Sequence, residues 1–265
     1  MTDEAAAPPP RLRSLIPPPG EAEETLTAEQ ALAGWREQES GSEPRVALNM
    51  VTSLDGRIAV DGRSAPLSSP ADRALFHELR AQADAVMAGA RTMSLERYGP
   101  IIANAATRAR RARQGLAEQP LAVIASRRLD LDTQLPLLAD PHSRVVILTS
   151  SSHDLPACAA ELDYVRAATL RAGLAELAKR YGVATLLCEG GPTLNGSLAA
   201  EGLIDELFLA VAPLLVGDGV GGASLLRGHS LREPESLELR MLLESNGQLY
   251  GRYVRRSGAP SSPPL

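Results

Sequence analysis

The residues best suited to chemistry form one short run at 189–194 (EGGPTL), which follows an apolar segment. A strand that ends in an acid and two glycines, with proline opening the next helix, leaves backbone N–H groups bare at the helix start. Glycine lets another molecule approach the main chain closely, and the positive end of a helix attracts phosphate. The run therefore predicts either a phosphate-binding turn or a tight strand–helix connection that needs glycine for its geometry. Its pattern is not G-x-G-x-x-G, so a Rossmann site is not indicated.

Two further loops follow apolar strand-like runs and carry similar groups. Residues 89–92 (GART) combine a glycine with a hydroxyl, and residues 126–128 (SRR) place a hydroxyl beside two guanidiniums. The second set suits a phosphate monoester, such as the 2′-phosphate that separates NADP from NAD. Taken alone, each loop is better explained as an ordinary or solvated turn than as a ligand site. Three such loops in one α/β chain together favour a phosphorylated dinucleotide.

One carboxylate is placed where it could handle a proton. Ser69 precedes a helical run as its predicted N-cap, and Asp72 falls at the third helical position. An acid there completes a capping box and complements the helix dipole, which accounts for it without any chemistry. The alternative is that Asp72 projects into a cleft and pairs with the N–H and amino groups of a pteridine or pyrimidine ring. Asp55 lies at the end of the first strand. It is either a turn residue or a contact for the cofactor.

Composition bounds the class of protein. The chain has 265 residues and a net charge of −5, which argues against a nucleic-acid surface. No apolar run reaches membrane-spanning length, and the acidic, proline-rich start does not resemble a secretory signal, so a cytoplasmic location is expected. Its cysteines, Cys158 and Cys188, form no C-x-x-C, and Cys188 is predicted to be a buried thiol.

Periodicity predicts alternating strands and helices with an α/β layered arrangement. Among them are helices from Pro70 to about Gln82 and from Leu170 to Tyr181, with Gly182 just past the end of the second. We expect a mostly parallel central sheet and an antiparallel C-terminal edge, with a hairpin turn at Asn246-Gly247. Right-handed crossovers would place the ligand loops at the carboxyl ends of the strands. The predicted division is a Pro-rich extension with a short helix at 1–43, a domain at 44–255 and a disordered tail at 256–265. Thr27 with Gln30 resembles a capping box that opens this short helix, which is predicted to run through Trp35.

Three stretches resemble, in the same order, signatures of the RibD C-terminal domain family, the reductase domain of the riboflavin-biosynthesis deaminase-reductase. They lie at 49–59, 79–89 and 189–194, and the resemblance spans about residues 45–254. The sequence most resembles stand-alone actinobacterial members of that family. The resemblance implies a dihydrofolate reductase-like fold with three α-β-α layers, NADPH as cofactor and a homodimer.

The resemblance also implies roles for individual residues. The predicted cofactor contacts are Asp55, Gly89, Thr92, Ser126, Arg127, Gly190, Gly191 and Thr193. The predicted substrate contacts are Asn49, Ser69, Asp72 and Glu189. Asp72 is the predicted catalytic residue, orienting the heterocycle and favouring the protonated imine to which hydride is delivered.

The chain departs from the family pattern in two ways. No C-x-x-C or ligand-spaced histidine pair is present and the 43-residue N-terminal segment is short, so we expect neither the zinc deaminase half nor a metal. Residues 96–100 (ERYGP) also stand where the family usually carries an Asp-Asp-Pro stretch with a downstream arginine. Residues 70–72 (PAD) instead resemble the start of the substrate helix in bacterial dihydrofolate reductases.

These departures leave three functions open. One is reduction of the ribosylamino-pyrimidine phosphate of riboflavin synthesis, and another is reduction of dihydrofolate or a related pterin. The third is a non-catalytic module that binds NADPH, because a fold by itself does not establish chemistry.

Overall fold

The described residues form one sheet with helices packed on both faces. The structure, a computed structural model, describes residues 8–16, 25–37, 43–217, 224–229 and 231–256. Their 11 strands have the order β2-β1-β10-β11-β9-β3-β8-β4-β5-β6-β7. The predicted tail lies outside this set except for Arg256, and so does the proline run at 17–19.

The elements alternate along the chain as an α/β fold requires. The strands are β1 (Leu12–Ser14), β2 (Thr25–Leu26), β3 (Arg45–Ser53), β4 (Ala85–Gly89), β5 (Leu121–Ala125), β6 (Arg144–Thr149), β7 (Glu161–Arg166), β8 (Thr185–Cys188), β9 (Glu206–Ala212), β10 (Leu237–Ser245) and β11 (Gln248–Arg255). The helices are α1 (Ala28–Ala31), α2 (Pro70–Gln82), α3 (Ala90–Leu95), α4 (Ala105–Arg113), α5 (Pro136–Ala139), α6 (Leu170–Tyr181) and α7 (Pro192–Ala200).

The sheet has a parallel and an antiparallel half, as the sequence predicts. Strands β9, β3, β8, β4, β5, β6 and β7 pair in parallel, whereas β11, β10, β1 and β2 add antiparallel. Asn246 (φ 51°) and Gly247 (φ 79°) form the predicted two-residue hairpin turn between β10 and β11. The predicted fold class is therefore confirmed.

Alternate residues of the central strands enter different cores. Val86 and Ile124 pack on one face of the sheet with Leu79 of α2, whereas Met87 packs on the other face with Leu177 of α6. This follows from the two-residue period of a strand. Cys188 is fully buried, as predicted, and its burial raises the pKa of the thiol to about 12.

The N-terminal segment is built into this sheet. Strand β1 pairs with β10 through Arg13 opposite Glu244, and β2 pairs with β1. Thr27 and Gln30 form the predicted capping box at α1. The helix ends at Ala31, earlier than the predicted end at Trp35, and the chain turns at Gly34 (φ 72°). The predicted extension thus shares the sheet of the domain that follows.

Strand β7 and helix α4 are among the elements that the sequence analysis does not predict. Strand β7 lies at the edge of the sheet, where only one of its residues is fully buried. Helix α4 is rich in arginine, and its one buried residue, Arg111, donates to the carbonyls of Ala81 and Ala83 at the C-terminal end of α2. A helix fixed by a polar contact of this kind has no apolar stripe to reveal it.

Candidate active site

A cleft of about 1540 Å³ opens along the carboxyl ends of the parallel strands. This is where ligands bind in open α/β sheets. Most of the predicted site residues line it, on strands β3 and β4 and in the segments that follow β3, β4, β5 and β8: Asn49, Asp72, Gly89, Thr92, Ser126, Arg127, Glu189, Gly191 and Thr193. The lining does not include Asp55, Ser69 or Gly190.

The glycine turn before α7 touches the loop after β4. Gly89 N donates to the carbonyl of Gly190 at 2.7 Å. A Cβ on Gly191 would lie 2.5 Å from Thr92 Oγ1, so only glycine fits beside that hydroxyl as it is placed. No side chain caps the N-terminus of α7, whose first residue is Pro192. Its N–H groups therefore face the cleft without a protein acceptor from a cap.

Gly190 shapes this turn from behind the cleft wall. Its φ of 89° lies in the region that favours glycine, and its Cα faces Asn195 and the sulfur of Met50. Gly190 is therefore placed to set the backbone path rather than to contact a ligand with its own surface.

The loop after β5 presents exposed cations at one end of the cleft. The side chains of Arg127 and Arg128 are exposed and have no hydrogen bond or ion pair within the described ranges. Ser126 Oγ accepts a hydrogen bond from Leu129 N at 3.0 Å, which folds the loop back on itself. The hydroxyl and the guanidiniums therefore share one edge of the cleft.

The opposite end holds Asp72 at the start of α2. Ser68 Oγ donates to Asp72 Oδ2 at 2.5 Å, and the carboxyl group lines the cleft one turn before Phe76. Burial raises the pKa of Asp72 above its ordinary value, against the opposing effects of Ser68 and Arg73. The carboxyl group thus keeps its proton to higher pH than an exposed aspartate.

Ser69 acts at the same helix start without facing the cleft. Its Oγ accepts from Asp72 N at 3.1 Å and lies 2.8 Å from Tyr250 Oη. This is the N-cap role that the sequence predicts, and it ties α2 to β11. Ser69 therefore positions Asp72 through the backbone.

Glu189 is held in a closed network rather than left free for a substrate. Its two carboxylate oxygens accept from Arg80 Nε and Nη2, both at 2.7 Å, and from Tyr98 Oη at 2.6 Å. The Arg80 guanidinium lies 4.1 Å from the ring centroid of Phe76 and 5.2 Å from that of Tyr98. Burial, with the Glu189 charge, raises the pKa of Tyr98 well above its ordinary value, so the phenol remains a donor.

The sequence analysis assigns no site role to Arg80 or Tyr98. Both residues line the cleft beside Glu189, although they come from α2 and the segment after α3. No spacing rule links residues so far apart in sequence. The unusual stretch at 96–100 is the one local signal, because it contains Tyr98.

Asp55 lies outside the cleft, where its carboxylate joins two loops. It accepts from Ser53 Oγ at 2.5 Å and from the N–H groups of Gly217 and Val216 at 2.7 and 3.1 Å. These hydrogen bonds, from Ser53 first, lower the pKa of Asp55 to about 2. The predicted cofactor contact is thus replaced in the structure by a link between the loops after β3 and β9.

The fold and the cleft define a class of protein, the α/β domains that bind a ligand at the carboxyl ends of parallel strands. Within that class, the chain belongs to the family described as the RibD C-terminal domain, which matches residues 44–246. The resemblance stated from the sequence is therefore confirmed.

Named relatives agree with this membership. The chain is 30% identical over 197 residues to the 2,5-diamino-6-ribosylamino-4(3H)-pyrimidinone 5′-phosphate reductase of Methanothermobacter thermautotrophicus, covering 72% of this chain and 87% of that protein. It is 33% identical over 201 residues to the riboflavin biosynthesis protein RibD of Mycobacterium tuberculosis, covering 74% and 51% respectively. The chain thus spans most of the archaeal reductase but about half the length of RibD.

Solved structures share the fold. A pyrimidine reductase-like protein from Corynebacterium diphtheriae superposes with a TM-score of 0.71 at 24% identity, covering 88% of this chain and all of that one. The RibD of Acinetobacter baumannii gives 0.66 at 25% identity, covering 82% and 59% respectively. None of the helices in the described part of the chain has the length and apolar character needed to cross a membrane.

Proposed function

We propose that this chain is an NADPH-dependent reductase of the riboflavin pathway that delivers hydride to a ribosylamino-pyrimidine phosphate. Membership in a reductase family implies a nicotinamide cofactor, and NADPH in particular is our proposal. The observation that carries this proposal is a single cleft. The guanidiniums of Arg127 and Arg128 lie at one end without a protein partner among the described residues, and the largely buried carboxyl group of Asp72 lies at the other.

The cleft residues fit a phosphorylated dinucleotide. Ser126 and Arg127 would hold a 2′-phosphate, while Thr193 and the bare N–H groups of α7 would hold the diphosphate. Gly89 and Gly191 allow the ligand to approach the backbone, because neither carries a Cβ. When bound, the cofactor supplies the hydride; the protein supplies position, charge and exclusion of water.

Replacing Arg127 by alanine should weaken NADPH binding about tenfold and leave NADH binding unchanged, because only NADPH carries the 2′-phosphate. Dissociation constants from fluorescence titration of both cofactors would measure this. Arg113→Ala is the matched control, since Arg113 is exposed at the end of α4 and outside the cleft. Equal losses for NADPH and NADH would contradict the assignment.

A pterin is the second candidate substrate, and Glu96 is the observation that favours it. Glu96 lines the cleft, and its carboxylate accepts from Ser64 N and Oγ at 3.0 and 2.9 Å. A fixed negative charge there opposes a substrate phosphate, although exposed Arg97 lies next to it. Asp72 beside Phe76 suits a pterin ring as well as a pyrimidine.

Steady-state assays test the proposed reaction directly. We expect NADPH oxidation with the ribosylamino-pyrimidine 5′-phosphate and a clear loss of kcat/KM with its dephosphorylated form. Turnover of dihydrofolate with no response to the pyrimidine would support the second candidate. Binding of NADPH without oxidation of either compound would support the non-catalytic module.

We also propose a homodimer and a cytoplasmic location. Strand β9 lies inside the sheet between β3 and β11, so it offers a face rather than an edge to a second chain. On that face β9 presents the half-buried residues Leu209 and Val211, and β11 adds Leu249 opposite Val211. Light scattering after size-exclusion chromatography would give the molecular mass in solution and so show whether the chain forms a dimer.

A further inference from the structure

The connection between β9 and β10 brings the side chain of Arg227 to the cleft, and the proposed function gives this cation no role. Its described residues 224–229 lie against α7, and Arg227 and His229 line the cleft. The Arg227 side chain is exposed there, and its guanidinium has no hydrogen bond or ion pair with the residues that the structure describes.

The backbone of this connection is fixed to the first two turns of α7. Arg227 N donates to the carbonyl of Pro192 at 2.9 Å, and Asn195 Nδ2 donates to the carbonyl of Leu225 at 3.0 Å. Ser197 Oγ lies 3.3 Å from His229 Nε2. These contacts hold the backbone of Arg227 against Pro192, the first residue of α7.

Close packing of the connection against Gly196 of α7 also fixes the position of Arg227. A Cβ on Gly196 would lie 2.3 Å from the carbonyl oxygen of Arg227 and 3.1 Å from its backbone nitrogen and carbon. Backbone atoms cannot rotate away as a flexible side chain can. The connection therefore occupies space on α7 that exists only because residue 196 is glycine.

The nearby carboxylate of Glu201 is bound elsewhere, so Arg227 is available to bind an anion. Glu201, the acid at the end of α7, is engaged by the start of α6, where it accepts from Leu170 N at 3.2 Å and Arg171 N at 3.0 Å. The bare N–H groups at the start of α7 add positive potential on the same side. The Arg227 guanidinium and the start of α7 thus both place positive charge along the same cleft.

We propose that Arg227 binds the diphosphate of the dinucleotide, so that the β9–β10 connection forms an outer wall of the cofactor site. This inference rests on the proposed NADPH role, and it adds a residue from outside the three loops that the sequence singled out. A guanidinium suits a diphosphate because its fork of donors matches phosphate oxygens.

Arg227→Ala should raise the dissociation constant of NADPH about tenfold and leave that of adenosine 2′-monophosphate, which has no diphosphate, within about twofold. Arg227→Lys, which keeps the charge, should lose less. Arg232→Ala is the matched control, because Arg232 is an exposed arginine of the same connection outside this cleft. Unchanged NADPH binding by Arg227→Ala, or equal losses for both ligands, would overturn the inference.

A second variant tests the placement without touching the guanidinium. Gly196→Ala should push the connection off α7 and weaken NADPH binding by a similar factor. The Gly196→Ala, Arg227→Ala double variant should bind no more weakly than either single variant, since both remove one contact. Normal NADPH binding by Gly196→Ala would contradict the packing argument.

The two levels of proposal fail in different ways. If the wild-type chain and Arg232→Ala both fail to bind NADPH at millimolar concentration, the proposed function is wrong. If both bind it and Arg227→Ala binds equally well, only the role of Arg227 is wrong.

Discussion

Replacing Asp72 by asparagine is expected to lower kcat by about 10²–10⁴-fold, the usual range for a positioned acid or base. The carboxyl group lines the cleft, and Ser68 fixes one of its oxygens at 2.5 Å. Asparagine keeps the size of the side chain but cannot supply a proton to the imine nitrogen. Stopped-flow measurement of NADPH oxidation under single-turnover conditions would isolate this step from product release.

The pH profile gives a second readout for the same residue. Burial raises the pKa of Asp72, so the protonated form persists to higher pH than for an ordinary aspartate. If the acid form is needed, kcat/KM should fall as the pH rises through that raised pKa. Asp72→Asn cannot titrate, so its profile should lack this falling limb.

A matched control separates the proton-donating role of Asp72 from the general effect of removing one negative charge. Asp61 is an exposed acid at the tip of the small turn between Val60 and Arg63, outside the cleft, and its φ of 49° is one that asparagine tolerates. Asp61→Asn should leave kcat within about twofold. Full activity of Asp72→Asn at every pH would remove Asp72 from the mechanism.

Glu206→Gln should lower the free energy of unfolding by about 3 kcal/mol, because it removes a buried charge that serves two arginines. The Glu206 carboxylate is 1% exposed; it pairs with Arg45 and accepts from Arg252 Nε at 2.9 Å and from Trp35 Nε1 at 3.1 Å. Differential scanning calorimetry should show a decrease in Tm of about 10 °C for a domain of this size.

Two substitutions show whether the buried charge is the cause. Trp35→Phe removes only the indole donor and should cost about 1 kcal/mol, while keeping a ring against Phe208. Glu238→Gln breaks a pair with Arg240 that is half exposed, and should change stability by under about 0.5 kcal/mol. Equal Tm values for Glu206→Gln and Glu238→Gln would refute the proposed importance of the network.

The fold was accessible from the sequence wherever apolar periodicity was strong. The predicted helices at 70–82 and 170–181 match α2 and α6, and Gly182 ends α6 with a φ of 67°. Helix α4 and strand β7 escaped because their residues are polar or half-exposed. Hydrophobic patterns report only the elements that bury an apolar face.

The site was accessible only in outline. Ligand loops could be placed together because the carboxyl ends of parallel strands share one side of a sheet. Which side chain meets which could not be predicted: Glu189 is engaged by Arg80 and Tyr98, and Asp55 turns toward Val216 and Gly217. Each of these partners is distant in sequence, so only the folded chain specifies the pairing.

Strand β1 has a consequence for where this protein can be cut. The family match begins at residue 44, yet Leu15 N donates to the carbonyl of Leu242, and Ser14 pairs with Leu243. A truncation at the homology boundary would strip β10 of that cover and leave a bare strand edge, which is a template for self-association. The segment that the family match covers is therefore smaller than the segment needed to keep the edge of β10 paired.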